Sequence, residues 1–378
     1  TNLIETNRTT VASYLKTKGY NTAVIGKWHL GMNWSRTNDK KTNIKEGRNV
    51  DFNKKIKNGP NTFGFDYYYG ISASLDMPPY AYIENNMING NLSYAEDKSI
   101  FKELNMKPVR LGWISENFNQ EAVVSNLEKK AISWIIKQNT NTPNKPFFLY
   151  LPLTAPHAPI VPSDKFKGKS NLSAHGDFCL EIDALVGKIS TTLDKLNITD
   201  NTLIVFTSDN GPWLSYGNHS GSSGIYREGK GTTWEGGVRV PSIIKYPKKL
   251  KSNVINEPVM GIDWLPTFAH ITNSNLSENK IDGKNIWPLL SGKTDKSPHE
   301  KLYFYYRVNE LHSIRMNNWK IHFSRSYRSL NGKNGGIDGM PVKYEMNLID
   351  KNELYNLNDD PEERNNVYDK FPEIALKM

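Results

Sequence analysis

The sequence predicts an α/β fold, in which helices alternate with buried strands, followed by a smaller domain built from an antiparallel sheet. Amphipathic helices are indicated at Gln120–Lys137 and Ser173–Leu196, and each is followed by an apolar strand, "PFFLYLPL" or "TLIVFTSDNG". This alternation is typical of layered α/β domains. After about Pro298 the chain changes to short aromatic segments with turns, such as "KLYFYYRV". We therefore predict an α/β domain over residues 1–298 and a small C-terminal α+β domain over residues 299–378.

The N-terminal elements follow from their own local patterns. A helix is predicted over Thr9–Lys18, with Gly19 as its C-terminal cap, and it leads into a buried strand at Ala23–Ile25. In the later helix Ser173–Leu196, apolar residues recur at helical spacing and include Cys179. This pattern predicts that Cys179 is a packed core thiol rather than a catalytic one.

Composition and charge restrict the classes of protein and partner. The chain has 378 residues, a net charge of +9 and a mean hydropathy of −0.60, and it lacks any apolar run of the ~18 residues that a membrane-spanning helix needs. Its one cysteine excludes an internal disulfide. Eight basic residues against three acidic ones between Arg36 and Lys57 predict a long basic loop, either solvated surface or a site for an acidic partner. Since no zinc-finger spacing or aromatic-basic signature accompanies it, nucleic acid is not an expected partner.

The stretch "GYNTAVIGKWHLG" places a lysine and a histidine two residues apart at the end of a predicted strand. On an extended chain such residues project to the same side, so Lys27 and His29 are predicted to face one anion. Gly26 and Gly31 lack side chains and therefore permit the close approach of another group. A polar strand end without a ligand is the alternative interpretation.

Two later strands also end in polar residues. His157 lies in the turn "TAPHAP" after one strand, and Asp209 and Asn210 follow the next. Because ligands collect outside the carboxyl ends of strands in open α/β sheets, these segments and the Lys27 segment are predicted to converge on one crevice. Carboxylate and amide oxygens suit Ca²⁺ or Mg²⁺ better than zinc. Taken alone, Asp209-Asn210-Gly211 also fits an ordinary turn, and His157 fits a structural turn residue.

The segment "GKGTTWEGGVRVP" contributes Lys230 in glycine-rich surroundings. It does not fit the phosphate-binding P-loop pattern, because Gly231 stands where Ser or Thr is required. The pattern therefore excludes a P-loop nucleotide hydrolase.

Together these segments resemble the motifs of the type I sulfatases. "GYNTAVIGKWHLG" resembles the second signature of that family, and "APHAP", "TSDNG" and "GKGTTWEGGVRVP" resemble its later motifs in the same order. "GIDWLPTFAHI" and "LYNLNDDPEERNNV" are similar to further family segments, so the resemblance covers nearly the whole chain. It implies an alkaline-phosphatase-like α/β fold with a central, mostly parallel sheet, and hydrolysis of a sulfate ester in the periplasm or outside the cell.

The resemblance implies roles for four catalytic residues. Lys27 would neutralise charge between the metal, the nucleophile and the sulfate, and His29 would take the proton of the nucleophile's hydroxyl when sulfate is expelled. His157 and Lys230 would hold the sulfate, and one of them would act as general acid on the leaving oxygen. These roles match sulfuryl transfer, which, like phosphoryl transfer, depends on charge stabilisation and alignment.

The resemblance also implies a metal site and a substrate class. Asp209 and Asn210 would be ligands of one Ca²⁺ ion, and no zinc is expected. Because the dense positive run of the basic loop could steer a polyanion, we expect the substrate to be a sulfated carbohydrate derived from a polysaccharide. The basic loop Arg36–Lys57 would lie at the rim of the site, and His219 and Trp213 would contact the sugar.

One motif of the family does not occur in the sequence. The sulfatase nucleophile is a formylglycine made from the Cys or Ser of a C/S-x-P-S/A-R motif, and this motif and an Asp-Asp metal-binding pair belong N-terminal to the K-W-H segment. Cys179, in "DFCLEID", lacks the Pro and Arg context. We therefore expect a fragment without its N-terminal part, which does not turn over sulfate esters by itself.

Two other functions stay open at this point. A phosphoesterase of the same superfamily would use two zinc ions and a Thr or Ser nucleophile, although no histidine-rich zinc motif is visible. A catalytically inactive protein that binds sulfated glycans would keep the pocket and lack the nucleophile. The sequence of the nucleophile segment would distinguish the three.

Overall fold

The computed structural model describes residues 2–38, 47–97, 109–274, 276 and 280–378. The chain divides into two units, of which unit 1 comprises Thr1–Thr199 and Trp264–Ile281, and unit 2 comprises Asp200–Asp263 and Asp282–Met378. The helices are α1 (Val11–Thr17), α2 (Val123–Asn141), α3 (Ala174–Lys195) and α5 (Trp264–Ile271) in unit 1, and α4 (Glu235–Val238), α6 (Trp287–Leu290) and α7 (Pro372–Lys377) in unit 2. Within the part of the chain that the structure describes, every helix is too short or too polar to span a bilayer.

Unit 1 contains a sheet with parallel strands at its centre. Its strands are β1 (Asn21–Lys27), β2 (Tyr67–Ile71), β3 (Tyr82–Glu84), β4 (Met87–Asn89) and β7 (Phe147–Tyr150). Between β4 and β7 in the chain, β5 (Leu92–Tyr94) and β6 (Trp113–Ser115) form a separate short antiparallel pair. The strand order is β4-β3-β2-β1-β7, and β1 runs parallel to both β2 and β7. The interior of β1 is buried, as a continuous apolar run predicts for a strand with neighbours on both edges.

The ends of α1 show how local sequence sets the bounds of an element. Thr10 and Ser13 form a capping box, in which the side chain of each accepts the backbone N–H of the other. At the C-terminus Gly19, with φ +81°, and Tyr20 donate the two backbone hydrogen bonds of a Schellman motif, at 3.1 and 3.2 Å. The predicted glycine cap is therefore confirmed, and the helix is two residues shorter at its start than predicted and one residue shorter at its end.

The two apolar strands that were predicted to be buried are only half-buried. Among the described residues β7 is an edge strand of the unit 1 sheet, and Tyr150 is 47% exposed. β8 (Ile204–Thr207) lies in unit 2, where it pairs antiparallel with β9 (Ser242–Lys245) instead of joining the sheet of β1 and β7. An edge position leaves one side of a strand without a neighbour, so an apolar sequence does not by itself produce burial.

The prediction that Cys179 is a core thiol is wrong. Cys179 is exposed on α3, and its Sγ lies 3.8 Å from the Nδ1 of His175, one turn earlier. The buried stripe of this helix includes Phe178, Ile182 and Leu185. Cys179 follows Phe178 directly, and the ~100° rotation per residue of an α-helix takes it out of the stripe.

The predicted basic loop lies partly outside the described residues, because positions 39–46 are not described. In the part that is described, Arg36 and Val50 form an isolated antiparallel bridge, and Phe52 packs edge-on against Trp34 at a centroid distance of 5.3 Å. Apolar contacts therefore anchor the described part of this basic segment. Its position at the rim of a substrate site stays a prediction.

Unit 2 contains the small antiparallel sheet predicted for the C-terminal region. Its strands are β10 (Leu302–Tyr306), β11 (Glu310–Met316), β12 (Trp319–His322), β13 (Arg325–Ser329), β14 (Glu345–Ile349) and β15 (Glu353–Asn356). The order is β10-β11-β12-β15, and β13 pairs separately with β14; all these pairs are antiparallel. Trp234 lies in the core of the unit, packed with Tyr327, Ile349 and Tyr355. The predicted fold class, α/β with a separate antiparallel C-terminal sheet, is confirmed.

Candidate active site

In unit 1, the segments that carry Lys27 and His157 follow neighbouring parallel strands. Lys27 is the last residue of β1, and its backbone N–H donates to the carbonyl oxygen of Pro152 at 2.8 Å, just beyond the end of β7. Because parallel strands present their carboxyl ends at one edge of a sheet, both segments leave the sheet at the same edge. These two segments thus follow strands of one sheet, and the Asp209 segment follows β8, which pairs with β9.

Gly26 is required for this arrangement because no side chain fits at its position. A Cβ on Gly26, which has φ +146°, would lie 2.1 Å from the carbonyl oxygen of Pro152, and one on Gly70 of the neighbouring strand would lie 1.7 Å from the carbonyl oxygen of Gly26. The group that approaches this glycine closely is therefore the protein's own backbone.

The extended-chain argument for Lys27 and His29 is wrong. β1 ends at Lys27, and His29 has a left-handed backbone with φ +54°. The N–H of His29 donates to the carbonyl oxygen of Ser72 at 3.0 Å, and the side chain of the intervening Trp28 is buried. A turn, rather than strand alternation, sets the direction of the exposed His29 side chain; Lys27 is half-buried.

His157 lies in a turn held by its own backbone. Its N–H donates to the Thr154 carbonyl oxygen at 3.1 Å, and its Nδ1 lies 2.5 Å from the carbonyl oxygen of Ala158. A carbonyl oxygen can only accept, so the geometry assigns a proton to Nδ1.

The structure also points to polar residues that the sequence analysis missed. The buried Oγ1 of Thr154 and the buried Oγ of Ser74 have no hydrogen-bond partner among the described residues. Both follow parallel strands of the same sheet, β7 and β2. A polar residue soon after an apolar strand, as in "LPLTAP", is the signal that would have identified them.

In unit 2, the Asp209 segment and the Lys230 segment lie side by side. The N–H of Gly211 donates to the carbonyl oxygen of Gly237 at 3.0 Å, and the N–H of Lys230 donates to the carbonyl oxygen of Pro212 at 2.8 Å. A Cβ on Gly211 would lie 1.9 Å from the carbonyl oxygen of Gly236, so the two chains touch through backbone. The separate motifs "TSDNG" and "GKGTTWEGG" therefore form one structure.

The side chains presented there differ in their surroundings. Asp209 is exposed and Asn210 half-buried, and neither side chain has a hydrogen bond or ion pair with another described residue. Lys230 places its Nζ 5.0 Å from the ring centroid of Trp213, within range of a cation–π contact. The two segments thus carry two side chains with oxygen donors and a lysine that lies over an aromatic ring.

A buried ion network holds the segment that follows Lys230. Glu235, the first residue of α4, accepts hydrogen bonds from Lys320 Nζ at 2.8 Å and Arg315 Nη1 at 3.2 Å. Glu363 Oε1 lies 3.4 Å from the same Lys320 Nζ, and its Oε2 accepts the backbone N–H of Glu235 at 2.7 Å. Lys320 and Glu363 are fully buried, and a buried charge is costly unless it is paired, so the pairing stabilises both side chains. This pairing fixes the start of α4.

His322 completes the network as a neutral imidazole. Its Nδ1 accepts a hydrogen bond from Arg325 Nη2 at 2.7 Å, so its proton lies on Nε2, which donates to Glu363 Oε1 at 2.7 Å. Complete burial, followed by the positive charges of Lys320 and Arg325, holds the pKa of His322 well below its usual value. The ring stacks on Trp234 at a centroid distance of 4.0 Å.

His219 lies at the end of a 3₁₀ segment, Leu214–His219, in unit 2. Its Nε2 is 4.0 Å from Asp338 Oδ1, and its buried Nδ1 has no partner among the described residues. Burial lowers the pKa of His219, and the Asp338 carboxylate partly opposes this shift. The contact of His219 with the sugar stays a prediction.

The predicted site residues thus form two groups. Unit 1 carries Lys27, His29 and His157, and unit 2 carries Asp209, Asn210, Lys230 and His219. The convergence of both groups on one substrate stays a prediction. Across the described ranges, no three His, Cys, Asp or Glu side chains come together as a metal cluster.

Comparisons with known proteins agree along the whole chain. The Sulfatase family profile matches residues 2–274, the profile for the C-terminal region of aryl-sulfatase matches 297–378, and that of N-sulphoglucosamine sulphohydrolase, C-terminal, matches 224–330. An N-acetylgalactosamine-6-O-sulfatase of Bacteroides thetaiotaomicron is 30% identical, covering 100% of this chain and 76% of the relative. Arylsulfatase H of Canis lupus familiaris is 30% identical, covering 95% of this chain and 71% of the relative. A solved structure from work on glycosaminoglycan metabolism by Bacteroides thetaiotaomicron superposes with a TM-score of 0.81 at 29% identity, covering 100% of this chain and 82% of the other.

Proposed function

The chain belongs to the sulfatase family of sulfuric ester hydrolases, and from this premise we propose that it removes sulfate from a sulfated carbohydrate of polysaccharide origin, with Ca²⁺ as cofactor. The observation that carries the proposal is the joining of the Asp209-Asn210 strand end to the Lys230 loop through backbone contacts. The two joined segments carry the oxygen donors Asp209 and Asn210, which suit a metal, and the cation Lys230, which suits sulfate. The relative that acts on N-acetylgalactosamine 6-sulfate and the net charge of +9 support an anionic sugar as substrate.

The proposed chemistry divides the work among four side chains. Lys27 and Lys230 neutralise the sulfate, whose S–O bond to the sugar breaks as a new S–O bond to the nucleophile forms. The leaving oxygen takes a proton from His157 or Lys230, and His29 removes the proton of the nucleophile's hydroxyl when sulfate departs. Histidine suits this proton transfer because its usual pKa is near neutrality. In this family a formylglycine serves as the nucleophile, and the motif from which it is made does not occur in residues 1–378.

The metal proposal rests on the donor chemistry of two side chains. Sulfatases generally use a metal ion. Asp209 and Asn210 offer oxygen atoms that have no partner among the described residues, and such hard donors fit Ca²⁺. When bound there, the ion would supply positive charge to the sulfate oxygens.

The cation proposal is tested by Lys230→Met, with Lys248→Met at an exposed position as the matched control. In a protein that carries the formylglycine motif as well, sulfate release from N-acetylgalactosamine 6-sulfate should fall about 10²–10³-fold in the first variant, because a charge contact to the reacting group is lost, and remain unchanged in the second. Calorimetric binding of inorganic sulfate provides a readout independent of turnover. Equal activity and equal sulfate affinity in both variants would refute the role. Turnover of a phosphate ester in place of the sulfate ester would favour the phosphoesterase. Binding of the sulfated sugar without release of sulfate would favour the inactive glycan-binding protein.

The metal proposal is tested by Ca²⁺ titration of the protein and of Asp209→Ala, with Asp200→Ala as control. Asp200 lies before β8, whereas Asp209 lies after it, so only the Asp209 variant should lose Ca²⁺ affinity. An unchanged dissociation constant for Asp209→Ala would contradict the assignment. The family membership further suggests a periplasmic or secreted protein, which fractionation of the source cells would check.

A further inference from the structure

Unit 2 contains a cavity of about 370 Å³ next to the loop that carries Lys230. Gly231, the residue after Lys230, forms part of its wall, and Tyr306, Arg307, Ser326 and Arg328 form much of the rest. None of these residues belongs to the groups assigned above. The wall of the cavity therefore includes the residue that follows Lys230 in the chain.

The wall carries two arginines, and in the described part of the chain the one carboxylate contact of a wall residue is Glu310 Oε2, 3.1 Å from Nε2 of His312. Arg328 donates from Nε to the carbonyl oxygen of Lys230 at 3.0 Å and also from Nη2 to the same oxygen. Arg307 donates from Nη1 to Ser326 Oγ at 2.8 Å. Both acceptors are neutral, and among the described residues neither guanidinium forms an ion pair. Since each guanidinium has five N–H groups, both retain donors for a ligand.

A concave site lined by two arginines concentrates positive potential and favours an anion. Guanidinium groups recognise sulfate and carboxylate by the same planar pair of N–H donors. The wall residue Tyr306 is 40% exposed and belongs to the edge strand β10, whose Tyr303 and Tyr305 are 47% and 58% exposed. Exposed tyrosine rings provide apolar surface with a polar tip, which suits a sugar ring beside the anionic group.

We propose that this cavity binds a second anionic group of the substrate, a sulfate or a carboxylate on the sugar unit next to the one that loses its sulfate. The inference rests on the proposed function, because it takes Lys230 as a contact of the departing sulfate. It assigns to Arg307 and Arg328 a preference for saccharides with more than one charge.

The test compares Arg307→Gln with Arg364→Gln by calorimetry. Arg307 is exposed, so its replacement should leave the melting temperature unchanged, and Arg364 is an exposed arginine outside the cavity. The probes are N-acetylgalactosamine 6-sulfate alone and three disaccharides that join it to a neutral sugar, a uronic acid or a second sulfated sugar.

Arg307→Gln should weaken binding of the two doubly charged disaccharides by about tenfold or more, and leave the two singly charged probes within about twofold. A loss confined to the carboxylate or to the sulfate disaccharide supports the site and identifies which anion it takes. Equal effects on all four probes, or none on any, would overturn the second site. If the unmodified protein binds none of the four sulfated probes, the proposed function fails, and this result is distinct from normal binding of the probes with an unaltered preference.

Discussion

The two units support their shares of the predicted site by different physical means. In unit 1, Lys27 and His29 stand at the end of a buried parallel strand, and glycines let neighbouring backbones touch. In unit 2, the Lys230 loop is followed by a helix whose first residue, Glu235, is held by buried charges from distant parts of the chain, Lys320 and Glu363. Strand packing can be predicted from local sequence, whereas a buried ion network depends on partners more than 80 residues away.

Among the variants that test this comparison, we expect the largest effect from Lys320→Met. It leaves the fully buried Glu363 carboxylate without its lysine partner, and we expect a loss of about 3–5 kcal/mol in the free energy of unfolding. Urea denaturation measures this loss. The double variant Lys320→Met/Glu363→Gln should recover part of it, because the uncompensated charge is then removed.

The control for this experiment is Lys333→Met in the same unit. Lys333 forms an ion pair with Glu345 in which both side chains are largely exposed, so solvent already screens the charges. A similar loss in Lys320→Met and Lys333→Met would show that the buried network does not stabilise unit 2 more than a surface pair does.

For unit 1 the corresponding change is Gly26→Ala. Its Cβ would lie 2.1 Å from a backbone oxygen at a φ of +146°, so main chain must move, and we expect a loss of about 3 kcal/mol from strain and overpacking. Gly187→Ala in α3 has open space around the new methyl group and should gain about 0.5–1 kcal/mol from helix propensity. Thermal unfolding of both variants decides whether the backbone contact at Gly26 is as tight as described.

The third variant, His322→Gln, tests the lowered pKa of His322 in the folded protein. Its pKa is 6.5 in the unfolded chain and well below this in the folded protein, so the unfolded state binds more protons as pH falls below 6.5. The free energy of unfolding should then decrease by up to about 1.4 kcal/mol per pH unit from this group, while above pH 6.5 the effect vanishes. His322→Gln should show a flatter dependence between pH 7.5 and 5.5. The other histidines are common to both proteins and cancel in the comparison, so parallel curves would contradict the assignment.

The smallest effect is expected for Cys179→Ala, because the thiol is exposed. Its free energy of unfolding should stay within about 0.5 kcal/mol of the unmodified protein, whereas Leu185→Ala, one per cent exposed on the same helix, should lose about 2–5 kcal/mol. Comparable losses in both variants would mean that Cys179 lies in the core, as the apolar pattern predicts.

These cases show what sequence can predict for this chain. The α1 caps, the strand β1 and the C-terminal antiparallel sheet follow from local residue patterns, and the family motifs identify the candidate site. Burial of β8 and Cys179 could not be predicted, because burial depends on which elements pack against them. The backbone turn at His29 was also missed, since a positive φ at a non-glycine residue is set by the neighbouring chain.

The end of β1 has a dynamic consequence. The three successive amides of Lys27, Trp28 and His29 donate, in that order, to the carbonyl oxygens of Pro152, Ile71 and Ser72. Pro152 follows β7, Ile71 is the last residue of β2, and Ser72 follows β2 directly. Amides bonded across a sheet exchange with solvent only when strands separate, so this stretch should open rarely. The main chain that carries the exposed His29 should therefore keep its conformation while less protected segments of the chain open.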